Sequence, residues 1–165
     1  MADVADPNDA LQSVNAEKLA LLIAQAAAVP RKRSHLLLHT GPGDQVQRLL
    51  IAAQPGTYIR PHRHSEQWEM LVVQRGRVDI LMFAEDGEVL ARRPLDQASP
   101  VAQIPLSHWH SCVVRAPDTL LLEIKPGPYR PNEFADWAPE EGREAASALL
   151  RWTESAKVGQ KWHPR

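Results

Sequence analysis

Apolar positions change their spacing twice along this chain. Between Asn15 and Pro30 they recur at Leu19, Leu22, Ile23 and Ala26, the spacing of one helix face. Asn15 suits the cap of that helix, because its short side-chain oxygen can accept from a free first-turn amide, and Pro30 suits its end. From about Ser34 to Lys125 the pattern becomes short Val, Ile and Leu runs cut by Gly41-Pro42-Gly43, Pro55-Gly56, Arg75-Gly76, Asp86-Gly87, Pro105 and Pro117, which predicts an all-β core. The best-defined hairpin joins Val78–Phe83 to Val89–Arg93 through Glu85-Asp86-Gly87-Glu88, with Gly87 free to take a positive φ. Three prolines between Pro126 and Pro131 exclude regular structure there. Helical spacing returns from about Pro139 to Thr153, with Glu140 and Glu141 at the positive end of the helix dipole and Ala145, Ala148, Leu149 and Trp152 on one face. The expected division is an N-terminal extension and helix over 1–33, a barrel over 34–130 and a C-terminal helix and tail over 131–165, with both helices packed outside the barrel or against a second subunit.

Composition narrows the picture. A chain of 165 residues suits one core, since two halves would each lack apolar surface for their own. A net charge of -1 creates no field to attract nucleic acid or an anionic membrane. The single cysteine, Cys112, excludes an intramolecular disulfide and fits a reducing compartment. The N-terminus carries Asp3, Asp6 and Asp9 in place of a basic segment, and the apolar run Leu19–Val29 is too short to cross a bilayer, so a cytoplasmic location is expected. The polar stretch Val158–Arg165 is expected to fray.

The candidate chemistry lies between Gly56 and Gly76. His62 and His64 are two apart on a predicted strand and so share a face, while Glu69 returns after a turn. Two imidazoles and a carboxylate suit one divalent first-row ion, whether iron, manganese, nickel or zinc, with positions left for water or substrate. His110, on a later strand, is a fourth candidate donor.

These residues carry a resemblance. Gly56, His62, His64, Glu69 and Gly76 resemble the first motif of the cupin superfamily, and Pro105 and His110 its second, with Ser99, Ser107 and Val114 where that motif has glycine, glycine and asparagine. The resemblance implies a double-stranded β-helix, a jelly-roll barrel. More narrowly the chain is similar to the WbuC-type cupin-fold metalloproteins, on Arg31-Lys32-Arg33, Val46–Leu50, Pro55–His64, Arg75-Gly76-Arg77, Trp109-His110 and Glu123–Tyr129. That family implies a metal-binding protein associated with polysaccharide gene clusters.

Around the metal residues, strand parity nominates further groups. Arg60 should face the same cavity as His62, to hold a ligand's carboxylate or phosphate or to pair with Glu123. On Thr119–Lys125 either face can be the inner one; if the charged face is, Glu123 and Lys125 with nearby Tyr129 form a polar wall. His108, Tyr129 and Glu123 are the acid–base candidates, and Arg60 and Lys125 the substrate-binding ones. His108 also reads as a loop histidine, Cys112 as a small core residue, and His35 and His39 as structural or peripheral. The function expected is metal-dependent isomerisation or epimerisation of a small polar metabolite such as a sugar or nucleotide-sugar intermediate. A non-haem iron oxygenase and a non-catalytic, metal-anchored binding module are the alternatives. The outward parity of Trp68, Met70 and Val72 favours a homodimer.

Overall fold

A computed structural model describes residues 13–163; Asp3, Asp6 and Asp9 lie outside that range. Helix α1 (Ala16–Ala28) is capped as its sequence predicts, with the Lys18 amide donating to Asn15 Oδ1 at 2.9 Å. Nine strands then follow: β1 (Arg33–Leu37), β2 (Val46–Ala53), β3 (His62–Arg63), β4 (Glu69–Arg75), β5 (Val78–Phe83), β6 (Val89–Leu95), β7 (Val101–Ile104), β8 (Trp109–Val114) and β9 (Thr119–Pro126). The short β10 (Glu133–Phe134) and helix α2 (Glu144–Ser155) complete the described elements. Pairing is antiparallel throughout, in two five-stranded sheets of order β1-β2-β9-β4-β7 and β10-β3-β8-β5-β6. This is the mainly β jelly-roll barrel with a helix on each side.

Alternation along the strands builds three apolar layers. Leu71, Val73, Ile80, Cys112, Val114 and Leu121 point between the sheets and form the barrel core. The outer face of the first sheet meets Leu22 and Ala26 of α1 through Leu50, Ala52 and Leu120. The outer face of the second meets α2 through Leu81, Trp109 and Val113 against Ala146 and Leu149. Toward one end of the barrel the inward positions turn polar: Glu69 follows Leu71 on β4, Glu123 and Lys125 follow Leu121 on β9, and His110 follows Cys112 on β8. The inward positions are therefore hydrocarbon toward one end of the barrel and donors and charges toward the other.

Helix α2 starts later than its sequence suggests. Gly142 has φ +87° and ends the preceding turn, so the helix begins at Glu144 and buries Ala146, Leu149 and Thr153, one position away from the expected stripe. Its C-terminal end is tied to the second sheet by charge. Buried Asp79 accepts from Arg92 (2.8 Å) and Arg115 (2.8 Å), and these arginines donate onward to the carbonyls of Thr153 (2.9 Å), Ala156 (2.7 Å) and Glu154 (2.6 Å). The last carbonyls of a helix have no intrahelical donor, so the arginines supply what the helix lacks. Beyond α2 the chain does not fray over the residues described. The Val89 amide donates to Gln160 O at 2.9 Å, Lys161 reaches Asp86 at 2.8 Å, and Trp162 packs on Trp152 with ring centroids 5.6 Å apart. Met70 and Val72, expected outside, are half-buried on the outer face of the first sheet.

Gly76 closes the β4–β5 turn at φ +82°, where a β-carbon would stand 2.9 Å from Thr119 Cα. Gly76→Ala is expected to cost about 2 kcal/mol, since left-handed strain and the clash act together. Urea unfolding measures this, and an unshifted midpoint would remove the steric reason for a glycine there.

Candidate metal centre and its cavity

Three loops and strands bring four donors together at the polar end. His62 pairs directly with His110 across β3 and β8, His64 follows one residue beyond β3, and Glu69 opens β4. One ligand atom from each of His62, His64, Glu69 and His110 lies within 4.8 Å of all the others, and all four residues are buried. Donors on opposite sides of one first-row ion stand roughly 4 Å apart, so the cluster has the compactness of a single site.

Backbone contacts set which ring nitrogens face inward. His62 Nδ1 donates to Arg60 O at 2.9 Å and His110 Nδ1 to His108 O at 2.9 Å, which leaves both Nε2 atoms directed at the cluster. Glu69 Oε2 stands 2.8 Å from His64 Nε2 and 3.2 Å from His110 Nε2. His64 Nδ1 is buried without a hydrogen-bond partner among the described residues. Burial, and next the neighbouring His110, pushes His62 down to about 3, so its ring is neutral. Burial is the largest influence on His110 and lowers it, but the hydrogen bond and charge of Glu69, the His108 carbonyl and the charge of Glu123 together hold His110 above its ordinary value. Glu69 is raised by burial and brought well below the carboxylate range by His110 and His64. The cluster thus gathers more lone pairs than protons around one carboxylate, and a divalent cation fits that donor set.

The second motif's turn also has a structural account. Ser107 takes φ +63°, the left-handed conformation a glycine would adopt without strain. Its amide donates to His64 O at 2.7 Å and its hydroxyl to Ser65 O at 3.1 Å, so the serine fastens the turn before His110 to the loop after His64.

A cavity of about 380 Å³ opens beside the donors. Glu123 and Lys125 face into it, paired at 2.8 Å, which settles the orientation of β9. Burial, then the negative charge of Glu69, raises Glu123 to about 7; Lys125 acts against the rise. Lys125 is lowered by burial, but Glu123 raises it further. Arg60 lines the cavity too, donating through Nε to Ala138 O at 2.9 Å and lying 4.8 Å over the Phe134 ring. Its expected pairing with Glu123 does not form, because Lys125 occupies that carboxylate.

Two expected acid–base groups lie elsewhere. His108 is exposed and outside the cavity, since β8 begins only at Trp109 and His108 lies in the exposed turn before it; its contribution is the carbonyl that holds His110. Tyr129 is also exposed, in an adjoining hollow that shares Glu123 and Lys125 with the main cavity. Cys112 is buried in the core and touches the cavity, with burial pushing its thiol far up and leaving it protonated. Arg31, Arg33, His35 and Glu141, none of them nominated from the sequence as cavity residues, line the cavity mouth.

Comparisons with known proteins agree with the barrel. A family described only as a domain of unknown function, DUF6016, matches residues 14–95, a stretch that holds His62, His64 and Glu69 but not His110. No curated protein matches the sequence. Among solved structures, a sugar phosphate isomerase of the cupin superfamily from Silicibacter pomeroyi is 22% identical, with TM-score 0.50 over 63% of this chain and 66% of that one. A cupin 2 conserved barrel domain protein from Rhodopseudomonas palustris is 18% identical, with TM-score 0.50 over 62% of this chain and 66% of that one. The capsular polysaccharide assembling protein CapF from Staphylococcus aureus is 18% identical, with TM-score 0.53; the match covers 65% of this chain but only 32% of CapF. No helix among the described residues is long and apolar enough to cross a membrane. Two five-stranded antiparallel sheets, the clustered motif residues and these neighbours together establish that the chain has the cupin fold.

Proposed function

We propose that the protein is a metal-dependent isomerase or epimerase of a small polar metabolite, such as a sugar or nucleotide-sugar intermediate, of the WbuC type and serving polysaccharide assembly. The observation that carries this reading is Glu123: a buried carboxylate that titrates near neutrality and faces the same cavity as the donor cluster. A divalent ion held by His62, His64, Glu69 and His110 would supply Lewis-acid polarisation of a bound carbonyl or hydroxyl oxygen. Glu123 takes the proton from the neighbouring carbon through a carboxylate oxygen and returns it. Lys125, 2.8 Å away, holds the carboxylate in place before it accepts the proton. Leu71, Ile51 and Leu121 on the cavity wall limit the water around the exchanging proton. Neighbours at this level of identity contribute the fold alone, so the assignment rests on the site.

The test is proton exchange. Metal-loaded protein incubated in D2O with a panel of sugar phosphates, nucleotide sugars and sugar acids is expected to place solvent deuterium beside a carbonyl, detectable by NMR. Glu123→Gln should lower that rate about 100-fold or more while retaining its metal. The base works deprotonated, so exchange in the wild type should rise with pH and level off. A bound ion neutralises Glu69 and weakens its push on Glu123, which sets the midpoint between the ordinary carboxylate range and about 7. Saturable binding of a panel member without any exchange would instead identify a binding module.

A further inference from the structure

The mouth of the cavity carries three arginines and one carboxylate. Arg33 is held in place by its bond to Tyr58 O at 2.9 Å, and its side chain is only 12% exposed. It grips Glu141 in a two-pronged contact, Nη1 to Oε1 at 2.8 Å and Nη2 to Oε2 at 2.8 Å. Arg31 adds Nε at 3.1 Å and Nη2 at 2.9 Å to the same carboxylate. Arg60 stands nearby on the cavity wall, with no carboxylate among the described residues paired to it. Glu141 comes from the loop before α2, about 110 residues along the chain from the arginines. That loop leaves the core at buried Ala138 and is held across the mouth by Arg60 to Ala138 O at 2.9 Å, Tyr58 Oη to Pro139 O at 2.7 Å, and Glu141 itself.

Two guanidinium groups on one carboxylate also occur at Asp79, where they tie down α2; what sets Glu141 apart is that it and its arginines line the cavity that holds the donor cluster. The fork of Arg33 matches a planar carboxylate in both spacing and shape. With three cations against one anion, the mouth keeps an excess of positive charge facing the cavity.

We propose that Arg31 and Arg33 form a carboxylate-binding subsite of the cavity, which Glu141 occupies as an internal stand-in until a small carboxylate-bearing ligand displaces it. The proposal rests on reading the cavity as a ligand site and adds the substrate class, a small polar acid with its carboxylate on the arginines and an oxygen toward the donor cluster. Ala138 stays anchored in the core and Pro139 on Tyr58, so displacement moves only the exposed turn that carries Glu141, and ligand entry goes with that local movement.

Chemical rescue tests this in the full-length chain. Wild type, Glu141→Ala, Glu141→Gln and Glu141→Ala/Arg33→Met are titrated with sodium acetate, inorganic phosphate and chloride at matched ionic strength, reading the thermal midpoint. Acetate should raise the midpoint of Glu141→Ala saturably and above chloride. Half-saturation should come at a concentration at least about tenfold lower than in wild type, where the subsite is already filled. Removing Arg33 should abolish the response. Glu141→Gln keeps the side-chain volume and serves if the alanine variant folds poorly. The proposal is overturned if neither variant shows acetate-specific saturation, if the response survives loss of Arg33, or if phosphate outperforms acetate. Adding His62→Ala/His64→Ala to Glu141→Ala separates the two readings: rescue that persists in a chain unable to load metal keeps the subsite and removes only its metal partner.

Discussion

Protein purified without added metal or chelator is expected to carry about one first-row divalent ion per chain, and His62→Ala/His64→Ala to carry none. The expectation follows from the donor set. Two Nε2 atoms are aimed inward by backbone carbonyls, a third imidazole touches Glu69, and burial leaves water unable to satisfy any of them well. Binding to the folded state alone also stabilises it, by about 2.7 kcal/mol at a free-ion concentration one hundred times the dissociation constant. Chelation should therefore lower the thermal midpoint of the wild type and leave the double variant unmoved. Elemental analysis and a chelator titration measure both effects. A folded wild-type protein that takes up no iron, manganese, nickel or zinc would sink the metal reading and leave a metal-free binding cavity.

The second large effect lies on the opposite face of the second sheet. Asp79→Ala is expected to cost about 3 kcal/mol, toward the lower end for a broken buried ion pair because Arg92 and Arg115 remain partly in water. The loss reaches further than one pair. Without the carboxylate the two guanidinium groups repel each other and release the Thr153, Glu154 and Ala156 carbonyls, so the C-terminal end of α2 loosens together with Trp152 and Trp162. Urea unfolding should show the shifted midpoint, and near-UV circular dichroism the loosened tryptophans, at unchanged metal content. A midpoint within about 0.5 kcal/mol of wild type would mean that α2 is held by its apolar face alone.

The four donors were legible because they depend on local rules. His62 and His64 are two apart, Glu69 follows within one turn, and the strand carrying His110 is marked by Pro105 before it and by Cys112-Val113-Val114 after the histidine. The same rules failed where their premises did. Alternation on β9 could not give its inner face, because both faces of that sheet are covered, one by the barrel and one by α1, so apolar residues appear on each. Parity carried His108 inward with His110, but β8 begins only at Trp109, so strand alternation does not extend to the exposed turn that holds His108. The start of α2 was misplaced by Gly142, whose positive φ follows two glutamates that read as a helical first turn.

The mouth of the cavity was hidden for a different reason. Arg31-Lys32-Arg33 looks like a solvated charge run, and Glu141 like a dipole-favouring residue near a helix start; only the tertiary fold joins them. One signal was available: Arg33 and His35 are two apart at the edge of a strand whose alternate face is leucine-rich, which gives their side a common direction.

The docking of the C-terminal tail has a consequence for how strongly Glu141 holds its place. Because α2 is fastened at its far end by Asp79 and beyond it by Lys161 and Trp162, while Phe134 on the near side is paired with His62 of β3, the glutamate sits on a tether of only a few residues between two anchors. A tether that short sets a fixed effective concentration of carboxylate at the arginines, on the order of millimolar. Protein dilution leaves it untouched, and loosening either anchor lowers it. Truncation of the tail, far from the cavity, would then tune the ligand threshold at its mouth.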